Sequence, residues 1–370
     1  MIPFARVLKY GNKIAPKQAP LVYGAANAQF YFDPKTNKLY GMASNGNYIG
    51  LPTGSSQYTL CASNVKRVLS NVNGGANFFL YEDLEGKIWG VGNPNNLYGT
   101  GYSQVAVWTD YTSTFSNVNI NDIKDVQCYY DYKTNVVMNN GDLWCMGMND
   151  VTKNASFGNG TNVSSPGVLV KVTTDVAKAS GNMVLKTNGE LFITGTNAKY
   201  QYGNGTTIAS NSLTKLVNGV KDITIGYTCN YYLDVNGRLN VTGTALNGTL
   251  GNEMGTGTSY IVSGWTLIDT NVESMMTCIG NISLHYSKTD GKLYFTGYNP
   301  NGSGGVGSGS TNVRTPMICN PQIGWDSSCI FSRSNANMIY SKPDGLYFSG
   351  AYYGSGLGQE NNIVPFSLPS

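Results

Sequence analysis

Apolar residues in this chain come in short runs separated by stretches rich in Gly, Asn, Ser and Thr. The clearest runs are Phe78-Phe79-Leu80-Tyr81, Met183-Val184-Leu185, Tyr231-Tyr232-Leu233, Ile282-Ser283-Leu284 and Met338-Ile339-Tyr340. Each is followed by a D/N-G or T-N-G turn. Gly and Asn tolerate the positive φ that a tight hairpin needs. Beyond the turn the pattern alternates: Leu191 and Ile193 interleave with Glu190, Phe192 and Thr194, the period of a β-strand. No long segment keeps a 3.6-residue apolar period, so helix is expected to be scarce.

One phrase recurs along the whole chain. It reads Gly86-Lys-Ile-Trp89-Gly-Val-Gly92, Gly141-Asp-Leu-Trp144-Cys-Met-Gly147 and Gly189-Glu-Leu-Phe192-Ile-Thr-Gly195. It returns as Gly237-Arg-Leu-Asn240-Val-Thr-Gly243 and Gly291-Lys-Leu-Tyr294-Phe-Thr-Gly297. Asp344-Gly345-Leu-Tyr347-Phe-Ser-Gly350 has its first Gly displaced by one, and Asn37-Lys-Leu-Tyr40-Gly-Met-Ala43 is degenerate. The closing positions are 43, 92, 147, 195, 243, 297 and 350. A period of about 51 residues over seven copies points to a propeller or an array. The closing Gly is expected where the chain turns sharply or another backbone comes close.

After the closing Gly comes a second Gly/Asn-rich stretch, as in Gly195-Thr-Asn-Ala-Lys-Tyr200-Gln201-Tyr202-Gly203-Asn204-Gly205. Strand, D/N-G turn, L-x-x-x-G and a Gly-rich loop together resemble the regulator-of-chromosome-condensation repeat, over residues 30–370. The repeat is diverged: the family's usual Trp stands only at Trp89 and Trp144, its Gln-Leu pair is replaced, as by Gln201-Tyr202, and its upstream histidine is absent. The resemblance implies an all-β, seven-bladed β-propeller with blades of four antiparallel strands, a single domain over residues 1–370. Extra residues near 102–122 and 253–268 read as insertions. The segment Ile363-Val364-Pro365-Phe366 is similar to Val313-Arg314-Thr315-Pro316-Met317. No hairpin follows it, so the N- and C-terminal strands are expected to share a blade and close the ring. Closure removes the sheet edges that an open array would expose.

Composition narrows the function. Charged residues are 12% of the chain and the net charge is +3, without a basic tract, which argues against a nucleic-acid partner. No apolar stretch is long enough for a membrane-spanning helix. The first residues show no apolar core or cleavage site, so no secretory signal peptide is expected. The seven cysteines lack any C-x-x-C spacing and read as reduced, mostly buried small hydrophobes.

Little catalytic chemistry is encoded. The single histidine, His285, alternates with apolar neighbours and reads as a structural strand residue. Glu82, Asp83 and Glu85 read as a solvated turn face rather than an acid/base pair. The Gly302–Gly309 stretch lacks the Lys-Ser/Thr of a phosphate loop. No clustered Cys/His ligands occur. The expectation is a protein with no catalytic residues, no metal and no cofactor.

Binding chemistry is richer. Of the residues, 26 are Tyr and 46 Gly, and the two expected insertions mix large aromatics with small polar residues, a composition suited to recognition loops. Trp108, Tyr111 and Phe115 in segment 102–115, Tyr260 and Trp265 in segment 257–265, and Tyr98, Tyr352 and Tyr353 in short loops are the candidate binding residues. The whole composition resembles that of tail-tip proteins of tailed bacteriophages. That resemblance implies a receptor-binding protein on a virion tail tip, folded in the host cytoplasm. Its partner would be a bacterial outer-membrane protein, in preference to a polysaccharide, with other tail-tip proteins as neighbours. The alternative is an intracellular interaction platform or enzyme inhibitor of the chromosome-condensation-regulator type.

Overall fold

A computed structural model describes residues 21–25, 28–43, 45–70, 78–99, 101–129, 132–153, 155–226, 228–245, 248, 251, 260–278, 283–299, 302–307, 312–321, 323–325, 330–333, 337–342, 345–351 and 359–366. They form seven four-stranded antiparallel sheets, each an up-and-down meander of strands consecutive in sequence. Each sheet is one blade. All seven copies of the recurrent phrase become the third strand of their blade: Lys38–Ala43, Ile88–Gly92, Leu143–Gly147, Leu191–Gly195, Leu239–Ala245, Leu293–Tyr298 and Gly345–Ala351.

The second strands are buried along almost their whole length, as in Phe78–Asp83 and Cys229–Asp234. A strand covered on both faces has no polar side to show, so it reads as a continuous apolar run. The fourth strands lie at the rim and alternate, as in Ser165–Thr173. The core consists of clusters between neighbouring blades. Phe30 of blade 1 stacks on Phe79 of blade 2 with ring centroids 3.8 Å apart.

The D/N-G reading of the hairpins holds. Asp83 Oδ1 accepts hydrogen bonds from the backbone N–H of Glu85 and Lys87, both at 2.9 Å, and Gly86 has φ +83°. Asp234 repeats this with Asn236 and Arg238 at 2.8 Å. From the next blade, the first-strand valine donates its N–H to the hairpin: Val176 to Gly141 O, Val220 to Gly189 O and Val272 to Gly237 O. The turn residue of one blade thus positions the next.

The closing glycine has two reasons to be glycine. At Gly147, Gly243 and Gly297 φ is +101°, +109° and +114°. A Cβ on Gly243 would lie 2.4 Å from Thr228 O, and one on Gly147 2.5 Å from Tyr132 O. In every blade a register irregularity between third and fourth strands falls at this point, as between Val241 and Gly243. Such a bulge re-aims the chain into the loop that follows.

Ring closure differs from expectation. The C-terminal strand Gln359–Phe366 pairs with Gly345–Ala351 of its own blade, and blade 1 takes all four strands from residues 21–62. The seventh repeat supplies its own fourth strand after Gly350, like every other repeat, so no vacancy is left for sharing. The ends meet by packing: Leu21–Ala25 lies against Ile330–Arg333, and Leu346 joins Val22, Tyr31, Met42 and Tyr58 in one cluster. Of the expected insertions near 102–122 and 253–268, residues 252–259 lie outside the described residues. Residues 105–110 and 260–269 are ordinary fourth strands. The extra residues of blade 2 are 111–122, between its fourth strand and blade 3, where other blades such as 3 and 5 use two residues.

Substituting Gly243 by Ala should destabilise the fold by about 3 kcal/mol, because both the positive φ and the carbonyl contact resist a Cβ. Gly86→Ala, where a Cβ meets nothing within 4 Å, should cost only about 1 kcal/mol. Urea midpoints of the two variants check the difference.

Candidate partner-binding face

The strand ends define two faces. One carries the hairpins between second and third strands and the connections from blade to blade. The other carries the long loops between third and fourth strands. Among the described residues, each of the six hairpins from Pro34 to Lys292 holds a charged residue, such as Lys35, Glu85, Asp142, Glu190, Arg238 and Asp290. The described residues of the long loops hold three: Asp150, Lys153 and Lys199. Ion pairs follow the same division. Lys178–Asp222 at 2.7 Å and Lys288–Asp269 at 2.8 Å link strands near the hairpin face.

A buried asparagine organises the long loops. Asn197, two residues past the closing Gly195, is fully buried. Its Oδ1 accepts from Tyr202 N at 2.9 Å, and its Nδ2 donates to Thr206 O at 2.8 Å and Ile208 O at 3.3 Å. Asn149 does the same after Gly147, with Phe157 N at 2.9 Å and Val163 O at 3.3 Å. In blade 2, Asn95 Oδ1 accepts from Tyr102 N at 2.9 Å. One amide with donor and acceptor ends thus ties several loop backbone groups.

Three of these tethered residues are exposed hydrophobics: Tyr102 (47%), Val163 (73%) and Ile208 (74%). Blade 5 adds exposed Tyr260 and Ile261 at the start of its fourth strand. Four consecutive blades therefore present apolar side chains on the long-loop face. The loops also lean on the following blade: Gly160 N donates to Asn211 O and Gly205 N to Ser263 O, each at 2.9 Å. These bonds fasten the loops of blades 3 and 4 to the fourth strands of blades 4 and 5.

The expected binding aromatics divide. Phe115 and Tyr111 are buried in the core, Tyr111 edge-on to Phe78 at 5.4 Å. They belong to a short 3-10 turn, Thr112–Phe115 and its preceding residue, that plugs the space between blades 2 and 3. Trp108 and Trp265 hold equivalent places in the fourth strands of blades 2 and 5. Each half-buried indole abuts a positive-φ glycine in the preceding blade's loop, Gly50 and Gly203 respectively. Trp108 also meets Tyr81, and Trp265 meets Tyr232, at 4.8 and 4.7 Å. Both indoles are wedges between blades rather than an exposed patch. Tyr98 is half-buried against Tyr102 and Tyr111. Tyr260 alone of the six described is exposed; Tyr352 and Tyr353 lie outside the described residues. Val163 and Ile208 were missed, though the Gly-x-Asn spacing before them could have drawn attention to their loops.

The chemically reactive residues are internal. His285 is buried with its ring 4.7 Å from Phe295. Glu82, expected on a solvated turn, is fully buried and paired with Lys66 Nζ at 2.6 Å and Arg67 Nε at 2.5 Å. Arg67 also donates to Ile120 O and Ile123 O, both at 2.7 Å, fastening blade 2 to the start of blade 3. Asp83 accepts from its own hairpin and from the Trp89 indole at 2.7 Å. Cys61, Cys128, Cys145, Cys229 and Cys319 are free. Burial pushes the thiols of Cys61 and Cys128 up to about 12 and that of Cys145 up to about 11, which leaves little thiolate for nucleophilic chemistry at neutral pH. Among the described residues no three Cys, His, Asp or Glu side chains gather as metal ligands.

The architecture is that of a closed seven-bladed repeat propeller, and solved structures share it. The chain is similar to human WBSCR16 (17% identity, TM-score 0.64, 86% of each chain covered). It is also similar to the yeast RCC1 protein Prp20 in its complex with Kap60 (15%, 0.68, covering 100% of this chain and 91% of that one). A further match is Prp20p of Saccharomyces cerevisiae, whose binding to Gsp1p and histones has been studied (14%, 0.65, 96% and 88%). At these identities the likeness is one of fold. No family model and no curated protein sequence matches the chain.

Lys133 offers a pH test of the interior. Its side chain is buried, with Nζ donating to Ser156 O at 2.6 Å. Burial holds its ammonium down at about 8, from an ordinary 10.5. Between these values the unfolded chain binds more protons than the folded one, so this group makes stability rise with pH across that window and contributes no slope below it. The wild-type protein should therefore gain on Lys133→Met by up to roughly 1.4 kcal/mol per pH unit above pH 8. Urea midpoints of both proteins at about pH 7.5 and about pH 9.5 measure it; parallel midpoints would show that the ammonium is not desolvated.

Proposed function

We propose that this propeller is a non-catalytic recognition protein that grips a protein partner with its long-loop face. The observation that carries this reading is the arc of exposed Tyr102, Val163, Ile208, Tyr260 and Ile261 on loops with few charges among their described residues, with three of these residues tethered by Asn side chains. The fold needs its charges elsewhere, and apolar side chains held rigid in water have no folding purpose. Preorganised loops lose little entropy on binding. A surface so poor in charge selects by shape and hydrogen bonding rather than by electrostatic steering.

More specifically, we infer a receptor-binding role at the tail tip of a tailed bacteriophage, with an outer-membrane protein of a Gram-negative host as the partner. Support comes from the Tyr/Asn/Gly/Ser composition of the face and from the neutrality that suits the extracellular loops of such a protein. The alternative, an intracellular interaction platform or inhibitor of the chromosome-condensation-regulator type, rests on the shared fold, and fold does not specify function.

The test is binding of the labelled propeller to intact host cells after either protease or periodate treatment of the cell surface. Binding should be lost with protease and survive periodate. The pair Val163→Glu and Ile208→Glu should weaken it roughly tenfold or more while moving the melting temperature by no more than about 2 °C, because both side chains are exposed. Loss with periodate alone would replace the protein receptor by a polysaccharide. Unchanged binding by the folded double variant would remove the long-loop face from the function.

A further inference from the structure

On the hairpin face, away from the long loops, blade 3 departs from its repeat in two ways at one place. The first concerns the outward residue in the third strand. In the other blades the position two residues beyond its second-strand partner is charged. Trp89 donates its indole N–H to Asp83. The ammonium groups of Lys186, Lys288 and Lys342 lie over the rings of Phe192, Tyr294 and Tyr347, at 5.9, 5.1 and 5.2 Å. Asp33 and Asp234 stand two positions beyond Tyr31 and Tyr232, the partners of Tyr40 and Asn240. In blade 3 the place belongs to Met138, so on that side Trp144 lacks the charge, while Lys171 faces it from the fourth strand and pairs with Asp142.

The second departure is the 111–122 insertion. Its buried Tyr111 and Phe115 anchor it, and its far end rises beside Trp144 as a wall of Asn117, Asn119 and Asp122 with Val118 among them. Between wall and blade lies a cleft of about 540 Å³, lined by Asn117, Val118, Asn119, Asp122, Met138, Asn139 and Trp144, with the Asn140–Asp142 turn at its edge. That volume is within the roughly 300–1,000 Å³ of small-molecule sites.

We propose that this cleft binds a hexopyranose unit of a glycan, with Trp144 as the platform for a sugar ring face. An indole offers a flat apolar surface to the axial C–H groups of a pyranose, while the ring's hydroxyls need donors and acceptors around its edge. The cleft supplies both kinds. The Asn139 side chain has no protein hydrogen bond among the described residues, so both ends of its amide remain for ligand. Asn117 uses its Nδ2 on Leu169 O at 2.7 Å, which leaves its carbonyl oxygen. Asn119 Nδ2 holds one oxygen of Asp122 at 2.8 Å, which fixes the carboxylate and keeps its second oxygen as an acceptor. A cation is the poorer occupant. Asp142 is already neutralised by Lys171 at 2.8 Å, and amide donors are of no use to a cation. This proposal does not depend on the long-loop reading, because the two surfaces lie on opposite faces.

Saturation-transfer NMR with millimolar methyl glycosides of glucose, galactose, mannose and N-acetylglucosamine tests it. At least one glycoside should receive saturation on the C–H groups of one ring face. Met138→Asp, which restores the capping acid of blade 2, should abolish that transfer in a folded protein. Asn139→Ala, an exposed position, should weaken affinity, and Trp144→Ala should lower it by roughly tenfold or more. The pair Val163→Glu and Ile208→Glu should leave it unchanged. Absence of transfer to every glycoside, or transfer that persists in folded Met138→Asp and Trp144→Ala, would overturn the proposal. So would tighter, Trp144-dependent binding of tetramethylammonium, which would make the cleft a cation site.

Discussion

Each blade must be covered on both faces, and this constraint shapes the rest of the molecule. A second strand such as Phe78–Asp83 has no polar side, so a single blade could not exist in water. Two blades would leave two such faces bare, and a closed ring leaves none. The inter-blade clusters supply the cohesion: Phe30 on Phe79, the Trp108 and Trp265 wedges, and Leu346 against blade 1. Closure by packing suffices because the last blade covers the first as every other pair covers itself. A strand shared between the ends would add hydrogen bonds but bury no face that packing leaves open.

The same constraint separates the two ends of the ring. Successive blades must be rotated and fastened with little chain between them. Tight hairpins and two-residue connections do this, and they call for Asp, Asn and Gly in turns and for Lys and Arg in ion pairs within and between blades. Charge collects there because it is useful there: Glu82 with Lys66 and Arg67, Asp222 with Lys178, Glu190 with Lys215. The opposite end has a different task. Its loops must cross from third to fourth strand around a bulge, and a neutral buried amide satisfies their backbone without the desolvation cost of a charge. Neutrality of the long-loop face is thus first a packing solution, and it leaves a surface free to specialise.

Legibility in the sequence follows from the same physics. The third strand and its hairpin were readable because turn chemistry and a positive-φ glycine admit few residue types, so Gly147 and Gly243 recur where they must. The blade count followed from that recurrence. The aromatics were not readable. Tyr111, Phe115, Trp108 and Tyr102 lie within fourteen positions of one another, in similar Ser/Thr surroundings, yet range from core to surface. A fourth strand has one side against the neighbouring blade and one in water, and that blade's loop decides which aromatic it covers. Gly50 receives Trp108, and Gly203 receives Trp265; such partners are remote in sequence and leave no local mark. Glu82 was misread for the same reason, since its partners Lys66 and Arg67 come from another strand.

In a repeat protein, features shared by all copies are explained by the fold, so the exceptions carry the information about function. Asn197 and Asn149 appear in equivalent places and serve loop architecture, but Ile208 and Val163 at their tethers satisfy no packing need. Met138 stands where six other blades place a charge, and the insertion beside it lines the cleft with Asn117, Asn119 and Asp122 as well as Val118. A neutral drift of the repeat would not be expected to place a lost cap and an added wall on the same indole. Each change alone leaves a defect: an uncapped Trp144 exposes an aromatic face, and an insertion of Asn117, Asn119 and Asp122 beside a capped ring encloses nothing. Together they make a cleft, and only the combination gives either residue set a reason to be there.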